Sequence, residues 1–162
     1  MIKLAGACLA VVSAWACGFA AARAEGEKLT AADSLYSFVG RLERAISAAR
    51  TPLKEFFARK GEDYLESCGF MPALRSGATD FCAAWEAALA KLPLESAVYA
   101  EAAAFGRDLG RLTLADQCAA ANNLRSVIAE SRGTLAAKLP LKQKSIRAAY
   151  LLAGLLAAII LI

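Results

Sequence analysis

The chain has no histidine, the side chain that most often transfers protons near neutral pH and the commonest metal ligand. Proline is scarce, and runs of valine, isoleucine and threonine that would predict β-strands are almost absent. The five cysteines form no Cys-x-x-Cys pair, and there is no Gly-x-Ser-x-Gly elbow. These absences argue against hydrolase, metal and redox chemistry. They favour an all-α, non-enzymatic protein that needs no cofactor.

Two short patterns suggest chemistry at first sight. Glu62, Asp63 and Glu66 have the spacing of a solvated helix surface. An enzyme acting on lipid or peptidoglycan would have to use these carboxylates or Asp108, and it remains an alternative. The glycine-containing run at 105–110 lacks both the Lys-Ser/Thr and the preceding strand of a phosphate loop. A glycine-ended helix explains that run better.

The N-terminal region contains a long apolar run. Residues 4–22 carry no charge, which is close to the length that a helix needs to cross a bilayer, so we predict a transmembrane helix at 1–24. A cleaved signal peptide is the alternative, because Lys3 gives a positive start and Ala22-Arg23-Ala24 fits the small-x-small cleavage rule. The protein would then be a secreted structural protein anchored by its tail.

Residues 148–162 are uniformly apolar, and we predict a second transmembrane helix at 145–162. Most of the nearby basic residues lie on the middle section, which the positive-inside rule then places in the cytoplasm. Without interleaved aromatic residues, this basic cluster favours a membrane surface and not nucleic acid. The predicted membrane-flanking basic residues are Arg23, Lys28, Lys142, Lys144 and Arg147.

The middle section, 29–141, predicts a soluble helical bundle. Thr30 and Asp33 resemble a capping box, from which a helix should run to about Arg50. The junction Thr51-Pro52-Leu53 should begin the next helix, which stops at Gly61. A shorter helix should then cover 62–68.

The rest of this section predicts three further helices. Thr79-Asp80 should begin the first, which carries Trp85 as a core aromatic residue. The second follows Leu92-Pro93-Leu94 and ends near Gly106 and Gly110. Thr113 and Asp116 should cap the third and longest, with a bend expected near Pro140.

Several short motifs occur in an order that resembles the stage III sporulation protein AB family of endospore-forming bacteria. The resemblance covers nearly the whole chain. Its motifs are the opening MIKLAGA, Gly18-Phe19, Thr51-Pro52-Leu53, Ala84-Trp85-Glu86, Phe105-Gly106-x-x-Leu109-Gly110 with Gln117 beyond it, and Leu152-Ala153-Gly154-Leu155.

The resemblance implies a helical bundle similar to the cytoplasmic domains of the type II secretion F protein, flanked by N- and C-terminal transmembrane helices. It also implies a platform subunit of the channel or secretion-like complex between mother cell and forespore. The expected partners are the other membrane subunits of that complex, a secretion-type ATPase and membrane lipid. The expected location is the mother-cell side of the engulfing membrane, with the soluble domain facing the cytoplasm.

Overall fold

Every regular element in the described part of the chain is an α-helix, which confirms the predicted all-α class. The structure, a computed structural model, describes residues 2–47, 53–76 and 80–161, with side chains at 11–47, 55–76, 80–157 and 159. The helices are α1 (Ile2–Ser47), α2 (Leu53–Ala58), α3 (Asp63–Ser67), α4 (Phe70–Ser76), α5 (Phe81–Leu89), α6 (Ser96–Asp108) and α7 (Leu114–Leu161).

Two predicted helix starts are confirmed by their capping hydrogen bonds. The carboxylate of Asp80 accepts from the backbone N–H groups of Cys82 at 2.9 Å and Ala83 at 3.4 Å, which satisfies two of the orphan donors of α5. At the start of α7, Thr113 Oγ1 accepts from the backbone N–H of Asp116 at 3.3 Å. Both short polar side chains therefore fix where a helix begins.

The predicted helix start at Thr30 is wrong, because α1 runs without interruption from Ile2 to Ser47. Residues 23–30 contain no proline, and most of them are good helix formers, so nothing ends the helix before Thr30. An i,i+4 ion pair between Arg23 and Glu27, at 3.8 Å, lies on this stretch. Pro140 lies inside α7, which continues to Leu161, and the bend expected near it stays a prediction.

The region after α2 contains a helix that the sequence did not predict. α2 ends at Ala58 and α3 covers Asp63–Ser67, and α4 then begins at Phe70, just beyond the helix predicted over 62–68. Pro72 occupies the third position of α4, in the first turn, where its missing N–H leaves no intrahelical bond unmade. Gly69 connects α3 and α4 with a φ of +87°, a conformation that favours glycine.

The helices form two compact units, residues 1–27 with 135–162 and residues 28–134. The second unit has an aromatic core centred on Trp85, which is fully buried. Its indole Nε1 donates to the carbonyl of Ala102 at 2.7 Å. The ring centroids of Phe38, Phe70 and Phe105 lie 6.3, 5.8 and 6.0 Å from that of Trp85. This core holds α1, α4, α5 and α6 together.

Charged side chains also link α1 to α7 within the second unit. Arg125 on α7 pairs with Glu43 on α1 at 3.0 Å and donates to the hydroxyl of Tyr36, also at 3.0 Å. The guanidinium groups of Arg125 and Arg132 each lie 4.7 Å from the centre of the Tyr36 ring, and Arg132 pairs with Asp33. One tyrosine therefore organises two cationic contacts.

In the first unit, the beginning of α1 packs against the end of α7 through small residues and a few polar contacts. A Cβ atom at Gly18 would lie 2.8 Å from the Cβ of Tyr150, so glycine permits the close approach. Gln143 Nε2 donates to the carbonyl of Ala22 at 3.1 Å, and Lys142 pairs with Glu25 at 3.0 Å.

Among the described residues, no helix has a stretch long and apolar enough to cross a membrane. The prediction of transmembrane helices at 1–24 and 145–162 is therefore not supported there. Parts of both predicted segments, 1–10 together with 158 and 160–162, lie outside the residues whose side chains are described.

Candidate functional site: a basic cleft in the second unit

The predicted membrane-flanking basic residues differ in their local contacts. Arg23 pairs with Glu27 on its own helix, and Lys142 pairs with Glu25. The guanidinium of Arg147 lies 5.3 Å from the centre of the Phe19 ring, and Lys144 is exposed. Lys28 is half-buried and belongs to the second unit.

The predicted helix-junction residues belong to two places in the chain, residues 51–53 before α2 and the two glycines near the end of α6. Thr51 and Pro52 lie outside the described residues, and Leu53 is the first residue of α2. Gly110 has a φ of +83°, just beyond the end of α6. Gly106 lies inside α6 and faces the pyrrole side of Trp85 so closely that a Cβ atom there would overlap the ring.

The acidic residues considered for catalysis are engaged in ion pairs or lie at a helix end. Glu62 pairs with Arg41 at 3.2 Å, Asp63 pairs with Lys60 at 3.1 Å, and Glu66 binds Arg75. Asp108 is the last residue of α6. In the described part of the chain, no group of three Cys, Asp or Glu side chains could hold a metal ion.

A cleft of about 430 Å³ opens between α1, the end of α2 and the start of α4. Its apolar lining comes from Phe38, Ala45, Phe56 and Met71, and Gly61 completes the floor. A Cβ atom at Gly61 would lie 2.6 Å from the Cγ of Met71, so the glycine makes room for the methionine. The floor of the cleft is therefore apolar and closely packed.

Four basic residues also line this cleft, which we name the basic cleft: Arg41, Arg44, Arg59 and Lys60. Arg41 and Lys60 are each neutralised by a neighbouring carboxylate. Arg44 and Arg59 form no ion pair with any carboxylate of the described residues, although Arg44 Nε donates to the carbonyl of Gly40 at 3.1 Å. The cleft therefore keeps two guanidinium charges that can attract an anion.

A hydrogen-bonded clamp between Glu66 and Arg75 holds the wall of the basic cleft. Arg75 donates to both oxygens of Glu66, at 2.6 and 2.9 Å, in a bidentate pair. Arg75 also donates to the backbone carbonyls of Phe57 at 3.2 Å and Arg59 at 2.9 Å. Glu66 accepts from the N–H of Gly61 at 2.8 Å. The clamp thus fixes the backbone that carries Arg59.

This clamp makes stability depend on pH in a defined range. The hydrogen bonds from Arg75, followed by that from the Gly61 N–H, hold the pKa of Glu66 below its ordinary value of 4.5. A lowered pKa means that the stabilisation is fully present above about 4.5 and is lost as pH falls through the folded-state pKa. Glu66→Gln should therefore unfold about 1 kcal/mol more easily than the wild type at pH 7, with the difference shrinking below pH 4.5.

Urea denaturation at a series of pH values between 7 and 3 would measure this difference. Glu86→Gln is the matched control, because Glu86 is exposed on α5 and forms no ion pair with another described residue. Its effect should be small at every pH. A Glu66→Gln difference that stays constant down to pH 3 would contradict the clamp.

The sequence did not reveal the basic cleft as a site. Its pattern places Arg41 and Arg44 on the polar face of a helix, and Arg59 and Lys60 near the end of the next one. The sequence feature that could have indicated the cleft is the presence of two basic pairs, one before and one after the predicted helix junction at residues 51–53. The clamp residue Arg75 could not be anticipated, since it lies 18 positions from Phe57, whose carbonyl it binds.

These contacts define an all-helical protein whose described candidate site is a basic cleft beside a buried aromatic core. The family model of stage III sporulation protein AB matches residues 3–162, and the chain belongs to that family. A role in sporulation follows from this membership. No curated protein and no solved structure matches the chain.

Proposed function

We propose that the chain is a non-enzymatic platform subunit of the membrane complex required for endospore formation. In this proposal the first unit binds the membrane and neighbouring membrane subunits on the mother-cell side. The second unit faces the cytoplasm and docks proteins, among them a secretion-type ATPase. Membership of the sporulation family supports a role in endospore formation. The exposed apolar side chains of the first unit support binding to the membrane and to its subunits.

The observation that carries this proposal is the large number of exposed apolar side chains in the first unit. Trp15 and Leu152 are each 61% exposed, Leu156 is 62% exposed and Ile159 is 70% exposed. A folded protein rarely leaves so many large apolar side chains in water unless another surface covers them. Lipid and apolar helices of other membrane subunits are surfaces of that kind.

Contacts inside the first unit support the same proposal. Lys142 pairs with Glu25, and Gln143 donates to the backbone carbonyl of Ala22. These polar side chains therefore have partners within the unit. The exposed apolar side chains of this unit are therefore left for an outside partner. The exposed Lys144 next to them would add about 1 kcal/mol of attraction to anionic lipid.

Photo-crosslinking in sporulating cells of the native host would test this function. A benzophenone amino acid placed at Trp15 or Leu152 should form adducts with membrane subunits of the complex or with lipid, because these positions are exposed and apolar. Lys91, exposed on the second unit, is the control position and should give no lipid adduct. Adducts from residues 15 and 152 with extracellular proteins alone would contradict the proposal.

The intact mass of the purified protein separates this function from that of a secreted, tail-anchored structural protein. We expect the mass of an uncleaved chain, because the proposed first unit is built in part from residues that cleavage would remove, among them the fully buried Ala22. Loss of residues 1–24 would favour the secreted alternative.

A further inference from the structure

The basic cleft combines a small apolar floor with two guanidinium groups that have no acidic partner among the described residues. We propose that it binds an acidic segment of a partner protein. An apolar side chain of that segment would contact the half-buried Ala45 and Phe56, while neighbouring carboxylates pair with Arg44 and Arg59. This inference rests on the proposed function and deepens it, because it names the docking site and the chemistry of what docks.

The size of the cleft fits a short peptide segment. A volume of about 430 Å³ is at the lower end of the range for ligand pockets, enough for a few side chains. The half-buried Phe56 supplies an aromatic surface on which an apolar side chain can pack. An anchor residue with polar neighbours is the usual way in which a groove recognises a peptide.

The charges specify an acidic partner. Arg41 and Lys60 are already neutralised by Glu62 and Asp63, so the free charge of the cleft is carried by Arg44 and Arg59. Guanidinium groups bind carboxylates in bidentate geometry, and the Glu66–Arg75 pair shows this geometry a few residues away. The clamp also holds the Arg59 backbone in place before any partner arrives, which lowers the ordering cost of binding.

The same features disfavour a membrane or a nucleic acid as the occupant. A flat bilayer cannot reach a concave floor in which Phe38 is 1% exposed. A nucleic acid carries a phosphate at every nucleotide and is bound through extended basic surfaces, whereas this cleft has two arginines without a carboxylate partner among the described residues. A segment with about two carboxylates around an apolar residue matches the two free charges.

Selection from a random peptide display library against the full-length protein would test this proposal. The probes for affinity measurement are the fluorescein-labelled peptides that the selection enriches. We expect peptides in which Asp or Glu flanks an apolar residue. The double variant Arg44→Glu/Arg59→Glu should weaken their binding at least tenfold, and their affinity should fall several-fold as salt rises from 50 to 500 mM.

Two further variants keep the result interpretable. Arg111→Glu changes the sign of an exposed arginine outside the cleft and should alter affinity less than twofold. Ala45→Trp fills the cleft without changing charge and should weaken binding at least tenfold. Circular dichroism of each variant should match the wild type, which shows that the fold is intact.

Several outcomes would overturn the proposal. These are a selection without acidic enrichment, equal loss of affinity in Arg111→Glu and the double variant, or unchanged binding by Ala45→Trp. Binding to phosphatidylglycerol vesicles is the last measurement. If Arg44→Glu/Arg59→Glu loses vesicle binding and Arg111→Glu retains it, the cleft binds lipid and the proposal is overturned. Crosslinking from Trp15 and Leu152 is independent of these results, so failure here leaves the proposed function standing.

Discussion

Replacing Trp85 with alanine is expected to lower the free energy of unfolding by about 3 to 5 kcal/mol. The indole is fully buried, and its ring contacts aromatic side chains from α1, α4 and α6. Truncation leaves a cavity that these rings cannot fill without moving. It also removes the donor that satisfies the buried carbonyl of Ala102.

Urea denaturation followed by far-UV circular dichroism would measure the loss. Trp15→Ala is the matched control, because Trp15 is 61% exposed and its loss should change unfolding by less than about 0.5 kcal/mol. Trp85→Phe should fall between the two, since it keeps a six-membered ring but loses the hydrogen bond to Ala102. A Trp85→Ala loss below about 1 kcal/mol would contradict the central position of this residue.

Gly106→Ala should destabilise the second unit by about 2 to 3 kcal/mol, although alanine is normally the better helix former. The added methyl group would overlap the pyrrole atoms of Trp85, which is itself held on every side and cannot move away. The close approach of α6 to the indole therefore depends on the missing Cβ atom. The same denaturation experiment measures this effect.

Two other glycines serve as controls for Gly106. Gly133 lies inside α7, where an added methyl group would meet no neighbour within 4 Å, so Gly133→Ala should stabilise by up to about 1 kcal/mol. Gly110 also has open space but a positive φ, so Gly110→Ala should cost about 1 kcal/mol for backbone strain alone. A stabilising Gly106→Ala would show that the expected overlap is absent.

A double-mutant cycle would establish that Gly106 and Trp85 act on each other. Trp85→Phe removes Nε1, one of the indole atoms that a methyl group at residue 106 would meet, and the smaller ring leaves space into which it can shift. The cost of Gly106→Ala should therefore be smaller in the Trp85→Phe background than in the wild type. Equal costs in both backgrounds would place the effect elsewhere.

Local signals in the sequence predict most helix starts in the second unit. Asp80 and Thr113 act through hydrogen bonds to backbone groups two or three residues away, so their effect is visible in a short stretch of sequence. Apolar spacing alone predicts Trp85 as a core residue. Interactions of this short range are the ones that a single sequence records.

Other features depend on residues far apart in the chain. The sequence does not reveal the continuity of α1 through Thr30, because a capping motif is only a weak signal when no helix breaker precedes it. It does not reveal α4 either, because Pro72 suggests a break unless its place in the first turn is known. The basic cleft requires α1, α2 and α4 to be packed together, and no local pattern specifies that packing.

The free positive charge of the basic cleft resides in arginine, and the chain has no imidazole anywhere. Guanidinium groups remain cationic throughout the physiological pH range, so acidification of the compartment cannot release a bound partner by discharging them. Dissociation would have to be driven from the partner's side, by masking or withdrawing its carboxylates. Regulation of this contact would thus act on the partner protein and not on the basic cleft.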